Sequence, residues 1–73
     1  MEVIINKEGN VDIVKIVGRL DTMTAAVLEK EVSPLLISDA DIIFDCEELT
    51  YISSSGLRVV LMAHKKLMAL GGT

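Results

Sequence analysis

Aromatic residues are almost missing from this chain: it holds one Phe, one Tyr and no Trp among 73 residues. Any core must therefore be assembled from Val, Ile, Leu and Met, and no ring platform exists on which nucleobases could stack. The apolar share is nevertheless 51%, above what a disordered or linker sequence carries. Cysteine is equally scarce. Cys46 alone cannot close an internal disulfide, and with His64 as the only histidine there is no Cys/His cluster for zinc. Cys46 closes an apolar run, where a small buried residue is expected. No segment approaches the ~18 consecutive apolar residues of a membrane span. The first residues set Glu2 and Asn6 around Val3-Ile4-Ile5, without the basic start and long apolar stretch of a signal peptide. These absences point to a cytoplasmic protein in a reducing compartment, with no metal or cofactor and no membrane association. A chain of 73 residues is one domain at most, near the size at which a single core becomes marginal.

What charge there is lies unevenly. Residues 1–48 contain all eleven acids and four bases, a net −7, whereas 49–73 contain Arg58, Lys65 and Lys66 and no acid, a net +3. An overall −4 with no Lys/Arg-rich run disfavours a nucleic-acid binder, whose affinity rests on phosphate neutralisation.

In chain order, 2–6 reads as a short strand and Lys7-Glu8-Gly9-Asn10 as a polar turn of hairpin length. A second strand follows over 11–18, with Val11, Ile13, Lys15 and Val17 on one face and Asp12, Val14 and Ile16 on the other. Gly18-Arg19-Leu20-Asp21 leaves that strand, and Asp21, Thr22 or Thr24 can cap a helix over 23–33 whose Ala25, Leu28 and Val32 form the apolar stripe. Ser33-Pro34 ends it. After Asp39-Ala40-Asp41, the run Ile42-Ile43-Phe44 reads as a buried parallel strand over 41–46, so that strand, helix and strand make a right-handed crossover. Asp45-Cys46-Glu47-Glu48-Leu49-Thr50 connects it to Tyr51-Ile52. The pattern predicts an α/β fold: a small mixed sheet, an antiparallel hairpin plus a parallel crossover, with helices on one face.

The stretch Ile52-Ser53-Ser54-Ser55-Gly56-Leu57 opens the last helix, over 54–70. Ser53 or Ser54 can cap it, which leaves two hydroxyls beside first-turn amides and a helix dipole that favour an anion. Ser53, Ser54 and Gly56 are thus candidates for a helix cap or anion site. A 3.6-residue period places Leu57, Val60, Leu61, His64, Leu67 and Met68 on the expected buried stripe, and Ser55, Arg58, Met62, Lys65, Lys66 and Ala69 on the outward side. Ser54 is then expected to face the sheet and Ser55 the outside, with Arg58 and Met62 beside it as partner-binding candidates. Gly71-Gly72 supplies the stop. A helix ending this way normally feeds another parallel strand, so the 73 residues read as a domain short of that strand, with Ile42-Ile43-Phe44 at an open edge that invites a second copy.

Catalytic readings fare poorly. Gly-x-Ser-x-Gly is absent. His64 lies nine residues along the helix from Ser55, roughly 13 Å at ~1.5 Å per residue, too far to serve as its base. Asp45, Glu47 and Glu48 read as a solvated loop rather than a cation site. An enzyme is not expected.

Taken together these residues resemble the STAS domains, and among them the bacterial anti-sigma factor antagonists. The resemblance spans the chain: the opening hairpin, Gly18-Arg19-Leu20-Asp21 for the family's Gly-x-Leu-Asp, the strand ending at Asp45, and Ser53-Ser54-Ser55-Gly56-Leu57 for its Asp-Ser-Ser-Gly-Leu. It implies a single STAS-like domain over 1–73 that lacks the family's last strand and helix. It also implies a phosphorylation-controlled switch in which Ser55, the motif's second serine, is the acceptor and Asp21 an acidic neighbour. The unmodified form would bind an anti-sigma factor of the serine-kinase type, and a cognate phosphatase would reset the cycle. Ser53 stands where the family commonly has aspartate. The alternative readings are a module that binds a nucleotide or other anion at the serine amides, and a sensory STAS module without a phosphorylation cycle.

Overall fold

The computed structural model describes residues 1–72. Strand β1 (Glu2–Glu8) turns through Gly9-Asn10 into β2 (Val11–Leu20), with Glu2 opposite Val17 and Glu8 opposite Val11 in an antiparallel register. Gly9, at φ 63, provides the positive φ that a two-residue hairpin loop requires. Alternation along β2 buries Asp12, Val14 and Ile16 and leaves Val11, Ile13, Lys15 and Val17 half-buried. Asp12 meets Lys7 at 3.8 Å.

Helix α1 (Thr22–Val32) is set by Asp21 at its N-cap and buries Ala25, Leu28 and Val32, the stripe its spacing predicted. Leu28 and Val32 are fully buried, and each contributes about 1.5–3 kcal/mol by leaving water. The helix stops at Ser33, whose hydroxyl donates to the Glu29 carbonyl at 2.7 Å, and Pro34 turns the chain through a 3₁₀ turn over Ser33–Leu35. Strand β3 (Asp41–Asp45) then pairs parallel with β2, Val11 opposite Asp41 and Lys15 opposite Asp45.

β1 runs two residues past the expected 2–6, because Lys7 and Glu8 pair with Asp12 and Val11 and leave only Gly9-Asn10 as the turn, and the sheet departs from expectation again at β2. β2 does not end at Gly18 but continues to Leu20 across a register shift between Gly18 and Arg19, because Gly18 at φ 94 accommodates the irregularity. Its extra residues pair parallel with a fourth strand, β4 (Leu49–Ile52), Gly18 opposite Leu49 and Leu20 opposite Ile52. The sheet therefore has four strands, not three. A run as short as Leu49-Thr50-Tyr51-Ile52 carries too little period to be counted from sequence, and it is the bulge that gives it a partner.

Helix α2 (Ser54–Ala69) closes the molecule, and α1 and α2 cover one face of the sheet. The core between them is Val14, Ile16, Leu20, Ala25, Leu28, Val32, Val59, Ala63 and Leu67. The buried stripe of α2 is Gly56, Val59, Ala63 and Leu67; of the expected stripe Leu67 is buried and Val60 packs half-buried against the core, while Leu57, Leu61 and Met68 are 49%, 50% and 58% exposed. His64 is exposed as well. The rotation has a steric cause: a Cβ on Gly56 would lie 2.6 Å from Leu20 Cγ, so only the face with no side chain at that position can approach the sheet. Cys46, expected to be buried, is exposed in the connection after β3. Ile43 is also 54% exposed, since Ile42 and Phe44 pack on the core while Ile43 points to the face that no helix covers.

At its far end α2 is tied down again. Gly71 at φ 86 allows the Gly72 amide to reach the Leu67 carbonyl at 2.8 Å, the bond of a left-handed helix stop. The Asp39 amide donates to the Leu70 carbonyl at 3.3 Å, and a Cβ on Gly72 would lie 1.9 Å from the Ala40 carbonyl oxygen.

Gly56→Ala should lower stability by about 1–3 kcal/mol through overpacking against Leu20, measured by urea denaturation; a neutral result would contradict the close approach of α2 to β2. Among the described residues β3 pairs with β2 alone, so its outer edge from Ile42 to Phe44 should recruit a second chain. Light scattering should show association that grows with concentration and that Ile43→Lys reduces, and a monomer at every concentration would refute it.

Candidate functional site

The parallel strands β2 and β4 end side by side, and each leads directly into the N-terminus of a helix. Ligand and partner sites in α/β folds favour this end of a sheet. The two starts are joined through the backbone, the Ser53 amide donating to the Leu20 carbonyl at 2.8 Å. Asp21, which caps α1, is therefore the residue after the one that anchors the cap of α2.

The cap of α2 is Ser53. Its backbone is extended (φ −86, ψ 170) and its hydroxyl oxygen accepts the Gly56 amide at 3.2 Å. Ser53 thus resolves the alternative between the first two serines, and the Gly56 amide is spent on it. Ser54 and Ser55 begin the helix, and neither hydroxyl makes a hydrogen bond among the described residues. Their orientations are the reverse of the expectation: Ser54 is exposed and Ser55 half-buried. The reason is the rotation of the buried stripe to Gly56, Val59, Ala63 and Leu67, which turns Ser55 towards the flank carrying Val59 and Met62 and leaves Ser54 at the middle of the outer face.

Asp21 holds α1 through a capping box. Oδ1 accepts the Met23 amide at 3.1 Å and the Thr24 amide at 3.0 Å, while the Asp21 amide donates to the Thr24 hydroxyl at 2.8 Å. Hydrogen bonds from the Thr24 amide and then the Thr24 hydroxyl hold its carboxyl below the usual carboxylate range. Of the candidates Asp21, Thr22 and Thr24, Asp21 is the cap and Thr24 completes it.

Arg58 is exposed and Met62 half-buried, and the two line one hollow of about 480 Å³ with Leu61, Lys65 and Lys66. A smaller hollow continues past Val59 towards Glu29 of α1. Tyr51 lies under Arg19, the guanidinium carbon 4.3 Å from the ring centroid. That pair was missed, because it depends on the bulge that sets Arg19 opposite Tyr51; no local pattern signals it. The acidic connection has structural duties: Asp45 Oδ1 accepts the Glu47 amide at 3.1 Å, and Glu48 forms an ion pair with Lys15 that raises the lysine's pKa. No helix among the described residues is long and apolar enough to cross a membrane.

Residues 2–73 match the family profile of the STAS domain. The chain belongs to the STAS family. Solved structures of similar fold include the anti-sigma factor antagonist SpoIIAA in its unphosphorylated form (TM-score 0.81, 21% identity, 97% of this chain and 67% of that one). An anti-sigma factor antagonist from Mycobacterium paratuberculosis aligns with TM-score 0.86 at 21% identity, over 97% of this chain and 62% of its own. The Bacillus cell fate determinant SpoIIAA in its phosphorylated form aligns with TM-score 0.80 at 21% identity, over 97% and 67%. This STAS chain spans about two thirds of the length of those relatives.

Within the family frame, the aspartate commonly found where this chain has Ser53 falls on the N-cap of α2. Asp and Ser cap about equally well, so the change is mild for the fold. Ser53→Ala should cost about 1 kcal/mol of stability and Ser53→Asp little or nothing, as read from denaturant midpoints; equal losses would show that the cap does not hold α2. Asp21 gives a pH test. Its folded pKa lies below 3.8, so its contribution is present above that value and is lost as pH falls through the folded pKa. The stability gap between wild type and Asp21→Asn should therefore shrink as pH drops below 3.8, and a gap independent of pH would refute it.

Proposed function

We propose that this STAS chain is an anti-sigma factor antagonist: a binding switch, not an enzyme, controlled by phosphorylation of Ser55. In its unmodified form it binds an anti-sigma factor of the serine-kinase type, which modifies it, and a cognate phosphatase returns it to the binding form. The observation that carries this reading is the division of labour among the three serines. Ser53 alone is engaged as the cap, which leaves the Ser54 and Ser55 hydroxyls unspent at the start of α2. The motif match favours Ser55, and relatives of the same fold include one antagonist solved both unphosphorylated and phosphorylated.

The local electrostatics support tolerance of the modification. A phosphate adds about −1.5 to −2 charge at neutral pH, which the positive end of a helix accommodates. Arg58, three residues on, lies within one turn of Ser55 and can pair with it. The domain should keep its fold while the surface around Arg58 and Met62 loses much of its positive charge, and a partner docked there would meet a desolvated dianion.

Ser55→Asp should lose binding to the kinase-type anti-sigma factor while keeping its circular dichroism spectrum, and Ser55→Ala and Ser54→Ala should bind as wild type. Mass spectrometry after incubation with that kinase should place the phosphate on Ser55. A Ser55→Asp protein that binds like wild type, or phosphate uptake abolished by Ser54→Ala and not by Ser55→Ala, would sink the assignment. Saturable nucleotide binding by the unmodified protein would favour the anion-binding module instead.

A further inference from the structure

The hollow on α2 asks for a partner of definite chemistry. Arg58, Lys65 and Lys66 are the three cations of residues 49–73, and among the described residues none of them pairs with an acid. The rest of the chain carries eleven acids, so the lack of pairing is a matter of placement and not of supply. The cations are grouped with two apolar side chains, Leu61 and Met62, around a shallow, open hollow of about 480 Å³ between side chains of α2.

We infer that this hollow seats an acidic, amphipathic helical segment of a partner protein. Arg58, Met62, Lys65 and Lys66 recur at helical spacing over the nine residues 58–66, eight steps or about 12 Å along the axis at ~1.5 Å per residue. A partner helix laid along α2 and carrying acids two turns apart meets Arg58 and the Lys65–Lys66 pair in register, while its apolar ridge rests on Leu61 and on Met62, a side chain that adapts to irregular surfaces. The neighbouring hollow of about 150 Å³ at Glu29, Arg58, Val59 and Met62 extends the seat into the groove between α1 and α2. Glu29 on its far wall disfavours a partner acid beyond Arg58 and so limits the register. An anionic membrane fits less well, since the seat holds only three cations and belongs to a chain of net charge −4. This deepens the reading given above by assigning the partner's chemistry, and it rests on α2 being the partner-facing helix; it does not require Ser55 to be the acceptor.

The probes are a stapled helical peptide of Leu and Glu with acids at i, i+7 and i+8, the same peptide with Lys in place of Glu, and phosphatidylserine vesicles. Each is titrated into isotopically labelled protein and followed by amide chemical shifts. The acidic peptide should bind saturably with shifts concentrated from Arg58 to Lys66, and Lys65→Glu/Lys66→Glu should weaken it about tenfold, the sum of two exposed charge contacts. Lys65→Gln/Lys66→Gln, which neutralises the charges without reversing them, should give a smaller loss in the same direction. Equal binding of the acidic and basic peptides, shifts centred elsewhere, or binding of the vesicles in preference to the peptide would overturn the inference. With the kinase-type anti-sigma factor itself the two readings separate. If Lys65→Glu/Lys66→Glu binds like wild type while Ser55→Asp does not, the acidic-helix seat is wrong and the switch stands. The opposite pattern removes the switch and keeps the seat.

Discussion

The contact between the backbone at Gly56 and the side chain of Leu20 governs much of the rest. A Cβ at residue 56 would stand 2.6 Å from Leu20 Cγ, closer than a Cβ can sit without something shifting, and 3.0 Å from the Leu20 carbonyl oxygen, a tight contact. That same carbonyl accepts the Ser53 amide at 2.8 Å. One end of β2 therefore fixes both the height and the rotation of α2. From that rotation follow the identity of the buried stripe, the outward position of Ser54, and the grouping of the cations on one exposed flank. Small residues at Gly56 and Ala63 are what let the helix sit so low. Close packing leaves such a helix no intermediate setting, since interiors are as dense as molecular crystals.

Periodicity made most of the framework legible. The hairpin, the faces of β2, the stripe of α1 and the glycine stop of α2 all follow from residues whose local preference agrees with their tertiary role. The miss on α2 has the opposite cause. Leu57, Leu61 and Met68 outweigh Gly56 and Ala63 in apolar area, so a count of hydrophobic residues rotates the helix the wrong way; what decides is proximity, and glycine is invisible to hydropathy. Ile43 shows a related ambiguity. An unbroken Ile42-Ile43-Phe44 run suggests burial on both faces, yet helices cover only one.

The helix caps of the candidate site were legible in their residues, whereas the orientation of the serine run was not. Asp21 and the serine run were picked out because capping chemistry restricts those positions to a few residue types. The structure assigns Asp21 and Ser53 to capping. Arg19 and Tyr51 could not be paired in advance, since a bulge at Gly18 decides what lies opposite Arg19. The same bulge makes the fourth strand possible. An irregular residue thus places β4, and with it the start of α2, at the end of β2.

Helix α2 is held at both ends by backbone: at its start by the Ser53 amide on Leu20, at its finish by the Asp39 amide on the Leu70 carbonyl and by Gly72 pressed against Ala40. A strut clamped at each end can neither slide along its axis nor roll without breaking one of those joints. Whatever is added to its first turn cannot be absorbed as motion of the helix. A charge placed there changes the field around the start of α2 and leaves the packing of the helix as it is.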